Sequence, residues 1–167
     1  HRKFTITMTV DFQSIESKWQ QKWADAGLGK ARVSKSKEKF MMIFAYPGIS
    51  GYLHVGHMRG YTYTDTICRY ERMQDKEVLF PVGTHASGNQ TIAFANKVKK
   101  QDPVWLDYLQ RNGCSKEQMA KLITPKAVIQ YFNEVYVNDY WKKFGFLCDW
   151  DRFTSTSQPD YEKFIQW

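Results

Sequence analysis

The first hundred residues combine helical and extended hydrophobic patterns. Residues 11–26 predict a helix that begins at Asp11, with apolar residues at three- and four-residue steps. These residues are Phe12, Ile15, Trp19, Trp23 and Ala26. The apolar runs of residues 40–46 and 78–82 predict buried strands, each followed by a helical pattern. The two helical patterns span residues 57–73 and 88–100. This order of elements is typical of a parallel α/β unit.

From residue 102 onward the pattern is helical. Asp102 before Pro103, and Ser115 three residues before Gln118, are signals for helix N-termini. The clearest helix begins at Thr124-Pro125 and ends before Gly145, with an apolar residue at every fourth position. These residues are Val128, Phe132, Tyr136, Tyr140 and Phe144, and we expect all five in the core. A last helical pattern from about residue 159 stops without a cap, which suggests a truncated polypeptide.

Composition narrows the class of protein. The chain has 167 residues, of which 43% are hydrophobic and 25% are charged, as in a globular domain. Its longest apolar run has seven residues, whereas a membrane span needs about 20. We therefore expect no membrane association. The three cysteines form no paired pattern, and we found no secretory signal, so a cytoplasmic protein is the default expectation.

The charge balance favours a polyanionic partner. The chain carries 24 basic and 17 acidic residues, for a net charge of +7. Such an excess fits nucleic acid or nucleotide phosphate, although many basic domains bind neither. The basic stretch of residues 30–39 is interpreted first as a solvated linker and second as a loop that contacts phosphate.

Candidate chemistry is concentrated between the first strand and the helix that follows it. His54, Gly56 and His57 stand where a strand end leads into a helix N-terminus, which presents free N–H groups and partial positive charge. Imidazoles three residues apart suit phosphate oxygens that gain charge during attack, and glycine leaves room for a flat ligand. With His85 the chain offers three imidazoles for zinc, but it lacks an HExxH pattern and an obvious fourth ligand. We therefore expect no metal site.

The motif and its context resemble those of a known family. Residues 44–61 resemble the first signature of class I aminoacyl-tRNA synthetases, in which two histidines flank a small apolar residue and a glycine. Residues 65–83 resemble the subgroup for large aliphatic amino acids. His85 and the segments 131–145 and 149–167 resemble its archaeal and eukaryotic leucyl type. The resemblance implies an α/β fold: the first half of a Rossmann-like (HUP-type) doubly wound parallel sheet with flanking helices and a helical insertion.

The resemblance also implies a reaction and its partners. The whole enzyme would activate leucine with ATP to leucyl-adenylate and transfer the leucyl group to tRNA(Leu), with Mg²⁺ expected beside ATP. His54 and His57 would contact the ATP phosphates and act in catalysis, and Gly56 would lie against the nucleotide.

The resemblance places the amino-acid pocket at the ends of the strands. Ala45 and Tyr46 would line this pocket, and His85 would hold the amino group or the pocket wall. Tyr46 could instead belong to the core, and His85 could instead cap the next helix. Relatives often have proline after the glycine of this loop, whereas Asn89 follows Gly88 here. This departure weakens the inference about His85 and about the side chain selected.

The residue patterns and the resemblance together divide the chain into three parts. Residues 1–10 are interpreted as a leader or tag remnant, 11–39 as an N-terminal helix with a basic linker, and 40–167 as the N-terminal half of the catalytic domain. The lysine-rich second signature of the family is not found, and Lys35-Ser36-Lys37 precedes the first strand, where that signature does not belong. We therefore expect the fragment alone to be inactive.

Other functions fit part of the pattern. A valyl- or isoleucyl-tRNA synthetase fragment differs only in its pocket, where one methylene is worth about 1–3 kcal/mol. A small nucleotidylyltransferase shares the two histidines, but it usually carries them much nearer the N-terminus. A non-catalytic tRNA-binding module fits the net charge, although most aromatic residues here recur at core spacing.

Overall fold

A computed structural model describes residues 10–86 and 88–167. Most of the proposed leader, residues 1–10, lies outside the described residues. The helices are α1 (Phe12–Asp25), α2 (Val55–Met73), α3 (Gly88–Lys99), α4 (Pro103–Arg111), α5 (Lys116–Lys121), α6 (Pro125–Glu134) and α7 (Pro159–Gln166). A π-helix, Val135–Trp141, continues α6, and Trp150–Arg152 form a short 3₁₀-helix. The strands are β1 (Lys39–Met41), β2 (Glu77–Leu79), β3 (Gly83–Thr84) and β4 (Thr154–Ser155).

The parallel α/β unit is confirmed. Strand β1 pairs in parallel with β2, with Phe40 opposite Val78, and α2 connects the two. Strand β3 pairs in parallel with β4. Parallel neighbours need such a crossover connection, so the strand and helix patterns already favoured this topology. No helix in the part of the chain that the structure describes has the length and apolar character to cross a membrane.

The first predicted strand is shorter and less buried than expected. Only Lys39–Met41 are regular strand, and the following residues run on without ladder pairing. Phe44 is buried, but Met41 and Ile43 are 61% and 50% exposed. Among the described residues β1 pairs with β2 alone, so its other edge is unpaired, and the side chains of Met41 and Ile43 have no covering element. The prediction of a fully buried strand was therefore wrong.

Helix α1 forms where it was predicted, but its apolar stripe is not in the core. Asp11 accepts a hydrogen bond from the Ser14 amide (3.1 Å) and caps the helix, as expected. Phe12, Ile15 and Trp19 are nevertheless exposed. The predicted helices from residues 57, 88, 102, 115, 124 and 159 are also confirmed, within two residues at their starts.

The last part of the aromatic stripe shifts by one position. The predicted four-residue spacing holds for Val128, Phe132 and Tyr136, which are all buried. The π-helix then brings positions five apart onto one face. Trp141 is therefore buried, Tyr140 is half-buried and Phe144 is 58% exposed, while Phe146, which lies beyond the end of the helix, is buried as well. The expectation of Phe144 in the core was wrong, whereas Gly145 takes the positive φ (74°) typical of a residue after a helix end.

Hydrogen bonds connect α2 to residues 145–147, which follow the π-helix. Asp65, which is buried, accepts from the Leu147 amide (2.8 Å) and pairs with Arg69 (2.6 Å). Arg69 also donates to the Gly145 carbonyl (2.5 Å), and Arg72 donates to that of Leu147 (2.9 Å). These bonds satisfy backbone groups of an irregular segment, as burial requires.

The basic linker is tied to the body by ion pairs. Lys30 pairs with Asp151 (2.7 Å), Lys37 pairs with Asp75, and Glu38 pairs with Lys76 (3.0 Å). Exposed pairs of this kind contribute little stability. They give Lys30, Lys37 and Glu38 protein partners, and the interpretation of the stretch as a solvated linker or as a phosphate-contacting loop stays a prediction.

Candidate functional site

The two motif histidines lie at the N-terminus of α2. His54 is the N-cap residue, with extended backbone angles (φ −117°, ψ 169°), and the helix begins at Val55. The chain arrives there from β1 through an irregular loop, residues 47–53. The site therefore has the strand–loop–helix geometry that the sequence predicted, with the partial positive charge of a 19-residue helix at its N-terminus.

The histidines form a reciprocal cap. The Gly56 amide donates to Nδ1 of His54 (3.1 Å), and the His54 amide donates to Nδ1 of His57 (3.4 Å). The ring centroids lie 4.0 Å apart. A neutral imidazole that accepts at Nδ1 carries its proton on Nε2. The cap therefore leaves each ring with one N–H donor, Nε2–H, for a ligand.

Burial favours the neutral form of His57. Partial burial lowers the pKa of His57, and the neighbouring His54 lowers it further. The ring lies between His54 and Tyr61, whose centroid is 6.2 Å away. His57 is thus held as an uncharged donor near neutral pH, which agrees with the role of its Nδ1 as an acceptor.

Gly56 has an immediate structural reason to be glycine. A Cβ atom there would lie 2.9 Å from Cε1 and 3.0 Å from Nδ1 of His54. The missing side chain thus lets the His54 ring fold back over the Gly56 amide. The sequence predicts a nucleotide against Gly56, whereas in the structure the His54 imidazole lies there. Contact between Gly56 and a nucleotide stays a prediction.

Three predicted pocket residues lie near the carboxyl ends of the strands. Ala45 is exposed. Tyr46 is half-buried, and its ring lies against Gly83: a Cβ atom added to Gly83 would lie 2.7 Å from Cε2 of Tyr46. The His85 amide donates to the Pro47 carbonyl (2.9 Å). The His85 side chain is exposed.

These contacts bring Tyr46 and His85 to neighbouring backbone segments. Gly48 and His85 form an isolated parallel bridge. Burial raises the pKa of Tyr46, and Tyr161 of α7 adds to that shift. Tyr46 also packs against the core, and its place in the amino-acid pocket stays a prediction.

The loop before the motif is held by residues that the sequence did not single out for it. Tyr136 donates to the Gly51 carbonyl, and Tyr108 accepts from the Tyr52 amide (2.8 Å). The four-residue spacing predicts Tyr136 only as a core residue, and no pattern in the sequence points to Tyr108. A buried loop needs such partners for its backbone groups, but its burial is a tertiary property, so no local pattern in the sequence points to these tyrosines.

Other features lie away from this site. A cavity of about 540 Å³ is lined by α1 and by the segment around residues 142–151, and none of the predicted site residues lines it. Within residues 10–86 and 88–167, no group of three or more His, Cys, Asp or Glu side chains is placed to hold a metal ion.

Comparison with known proteins places this geometry in a family. The family described as tRNA synthetases class I (I, L, M and V) matches residues 18–167. The chain therefore belongs to the class I tRNA synthetases. This membership argues against the small nucleotidylyltransferase that shares the two histidines.

The chain is also similar in sequence to curated leucine–tRNA ligases. The leucine–tRNA ligase of Methanocaldococcus jannaschii is 34% identical over 164 residues, which are 97% of this chain and 17% of the relative. The leucine–tRNA ligase of Methanothrix thermoacetophila is 36% identical over 154 residues, or 92% of this chain and 16% of the relative. The chain thus spans about a sixth of the length of these relatives.

A solved structure supports the fold. A LeuRS of Agrobacterium radiobacter K84, in a ternary complex with tRNA and LeuAMS, aligns with a TM-score of 0.64 at 24% identity. The alignment covers 95% of this chain and 18% of that one. At this identity the likeness shows the fold alone, and it confirms the Rossmann-like α/β class.

Proposed function

We propose that this chain supplies the ATP-phosphate site of a leucine–tRNA ligase. In the full reaction, ATP activates leucine to leucyl-adenylate, and the leucyl group then passes to tRNA(Leu). The leucine–tRNA ligases at 34–36% identity support leucine as the substrate. The observation that carries the proposal is the pair of imidazoles at the α2 N-terminus, each with Nδ1 engaged and Nε2–H left as a donor.

The chemistry follows from where charge develops. The leucine carboxylate attacks the α-phosphorus of ATP. The bond from that phosphorus to the oxygen shared with the β-phosphate breaks, and pyrophosphate leaves. Phosphate oxygens gain charge in the transition state, and donors already in place stabilise them without reorganisation. His54 and His57 are such donors, and the helix N-terminus adds its own field. No side chain needs to act as a nucleophile. Mg²⁺ would accompany ATP, held mainly by phosphate and water oxygens.

We assign the amino-acid pocket to Ala45, Tyr46 and His85. Backbone bonds join the Pro47–Ile49 segment to His85, and Tyr46 packs on Gly83, so the three residues follow neighbouring strand ends. Ligands of open α/β sheets bind at this edge. The 167 residues alone should not charge tRNA, because their relatives are about six times as long.

The first test uses variants that keep the helix cap. Asn is a good N-cap, and Gln completes a capping box at the third helical position. His54→Asn and His57→Gln should therefore preserve folding while removing the imidazole donors. We expect a non-hydrolysable leucyl-adenylate analogue to raise the thermal midpoint of the unmodified protein. Each variant should bind that analogue on the order of tenfold more weakly, since a charged acceptor loses its donor.

Controls separate this site from general effects. Tyr70→Phe changes an exposed side chain further along α2 and should bind like the unmodified protein. Isoleucyl- and valyl-adenylate analogues should give smaller midpoint shifts than the leucyl analogue. Unchanged affinity in both histidine variants would contradict the proposal. Salt-dependent RNA binding without any nucleotide response would instead favour the tRNA-binding module.

A further inference from the structure

The loop before the motif is buried although it is irregular. Pro47 and Gly51 are buried, Ile49 is fully buried, and Leu53 is 7% exposed. Buried backbone groups need hydrogen-bond partners, and no ladder of adjacent strands supplies them along this whole loop. The partners come instead from an isolated bridge to His85 and from tyrosine hydroxyl groups.

The Tyr136 hydroxyl contacts two carbonyl groups of the loop. It donates to the Gly51 carbonyl and lies 3.4 Å from the Gly48 carbonyl oxygen. The side chain is only 1% exposed, and it comes from the second residue of the π-helix. Burial raises the pKa of Tyr136, so the hydroxyl stays protonated and remains a donor. Such π-helical turns are frequent at functional sites.

Tyr108 of α4 fits the same loop from another side. Its hydroxyl oxygen accepts from the Tyr52 amide at 2.8 Å. Gly51 has φ +145°, and a Cβ there would lie 2.6 Å from that oxygen. The loop therefore adopts a backbone that glycine allows and approaches the hydroxyl more closely than another residue could.

We propose that Tyr108 and Tyr136 are positioning residues for the histidine pair. Leu53, the last loop residue, leads directly into His54, whose extended backbone is a condition for the cap. If the loop moves, Nδ1 of His54 no longer accepts the hydrogen bond from the Gly56 amide. The Nε2–H groups of the two rings then no longer point toward the ligand. The helical region after residue 102 thus orders the site without touching the substrate. This inference rests on the proposed function, because it assigns these donors to ATP phosphates.

The test compares three tyrosine-to-phenylalanine variants of the protein. Tyr136→Phe removes the hydroxyl contacts to the Gly51 and Gly48 carbonyls, and Tyr108→Phe removes the acceptor of the Tyr52 amide. Tyr131→Phe is the matched control, because its hydroxyl pairs with the Tyr52 hydroxyl (2.7 Å) and with no loop backbone atom. Two readouts are needed: ¹⁵N spectra of the His54 and His57 rings, which report tautomer, and affinity for a non-hydrolysable leucyl-adenylate analogue.

We expect Tyr136→Phe and Tyr108→Phe to populate a second histidine tautomer and to weaken analogue binding on the order of tenfold, as loss of a buried hydrogen bond implies. Tyr131→Phe should leave both readouts unchanged. Should Tyr136→Phe fail to fold, Tyr108→Phe carries the same test with Tyr136 in place.

The outcomes separate the two claims. Unchanged histidine spectra and affinity in folded Tyr136→Phe and Tyr108→Phe would overturn the positioning role, as would an equal change in Tyr131→Phe. If the unmodified protein binds no adenylate analogue while Tyr136→Phe still alters the histidine spectra, the positioning of the rings stands and the proposed function fails.

Discussion

Helices α1 and α6 show equally regular apolar stripes, yet the structure treats them in opposite ways. The stripe that starts in α6 runs through Val128, Phe132 and Tyr136 into the centre of the core. The stripe of α1 leaves Phe12 and Trp19 68% and 47% exposed. Periodicity therefore predicts that a segment is helical, but a second surface decides whether its apolar face is buried.

The difference extends to how each region is anchored. The packed region is joined by aromatic contacts, such as that of Phe94 with Phe132 (5.2 Å between centroids), and by the Asp65 and Arg69 bonds. Helix α1 is anchored in its C-terminal half. Gln20 donates to the Lys143 carbonyl (3.0 Å), and the Arg69 guanidinium carbon lies 4.8 Å from the centroid of the Trp23 ring, a cation–π contact. Helix α7 likewise has no buried residue.

The largest expected effect comes from the core side of this comparison. Trp141 is fully buried and lies against Phe44, Tyr61 and Tyr136. Trp141→Ala removes these contacts and leaves a cavity, so it should lower the free energy of unfolding by about 3–5 kcal/mol. Urea unfolding followed by circular dichroism measures this loss. A loss below about 1 kcal/mol, the typical effect of one mutation, would mean that the π-helix face is not the core.

A smaller effect should come from the half-buried His57. Because its pKa in the folded protein lies below the ordinary value of 6.5, the unfolded chain binds more protons between the two values. The contribution of His57 to stability is therefore present above about pH 6.5 and is lost as the pH falls through the folded-state pKa. Unfolding free energies at several pH values should show this slope.

His57→Gln provides the comparison for that measurement. Since Gln does not titrate but can still complete the cap, the slope below pH 6.5 should become shallower in this variant. An identical slope in both proteins would show that His57 is not responsible for it.

The smallest effect is expected on α1. Trp19→Ala shortens a side chain that is half exposed, so the free energy of unfolding should change by only about 0.5 kcal/mol. The same urea titration that measures Trp141→Ala tests this directly. If Trp19→Ala lost as much stability as Trp141→Ala, the two helices would not differ in burial. The apolar face of α1 would then have to be covered by contacts that the described residues do not show.

Local signals in the sequence predicted much of the fold. Asp11, Asp102, Ser115 and Thr124 cap the helices that they were expected to begin, because a capping side chain bonds to amides only two or three residues away. The parallel pairing of β1 with β2 followed from the strand–helix–strand order. His54 and His57 were recognised from their spacing and their place before a helix.

The sequence by itself determined which segments are helices, where they begin, and that two histidines stand at a helix N-terminus, since these properties depend on neighbours along the chain. Tertiary structure decided which apolar stripe is buried and that the π-helix places Trp141 rather than Phe144 in the core. It also decided that Tyr108 and Tyr136 satisfy the loop before the motif. Those outcomes depend on surfaces and hydrogen-bond partners that lie far apart in the chain, where periodicity and capping carry no information.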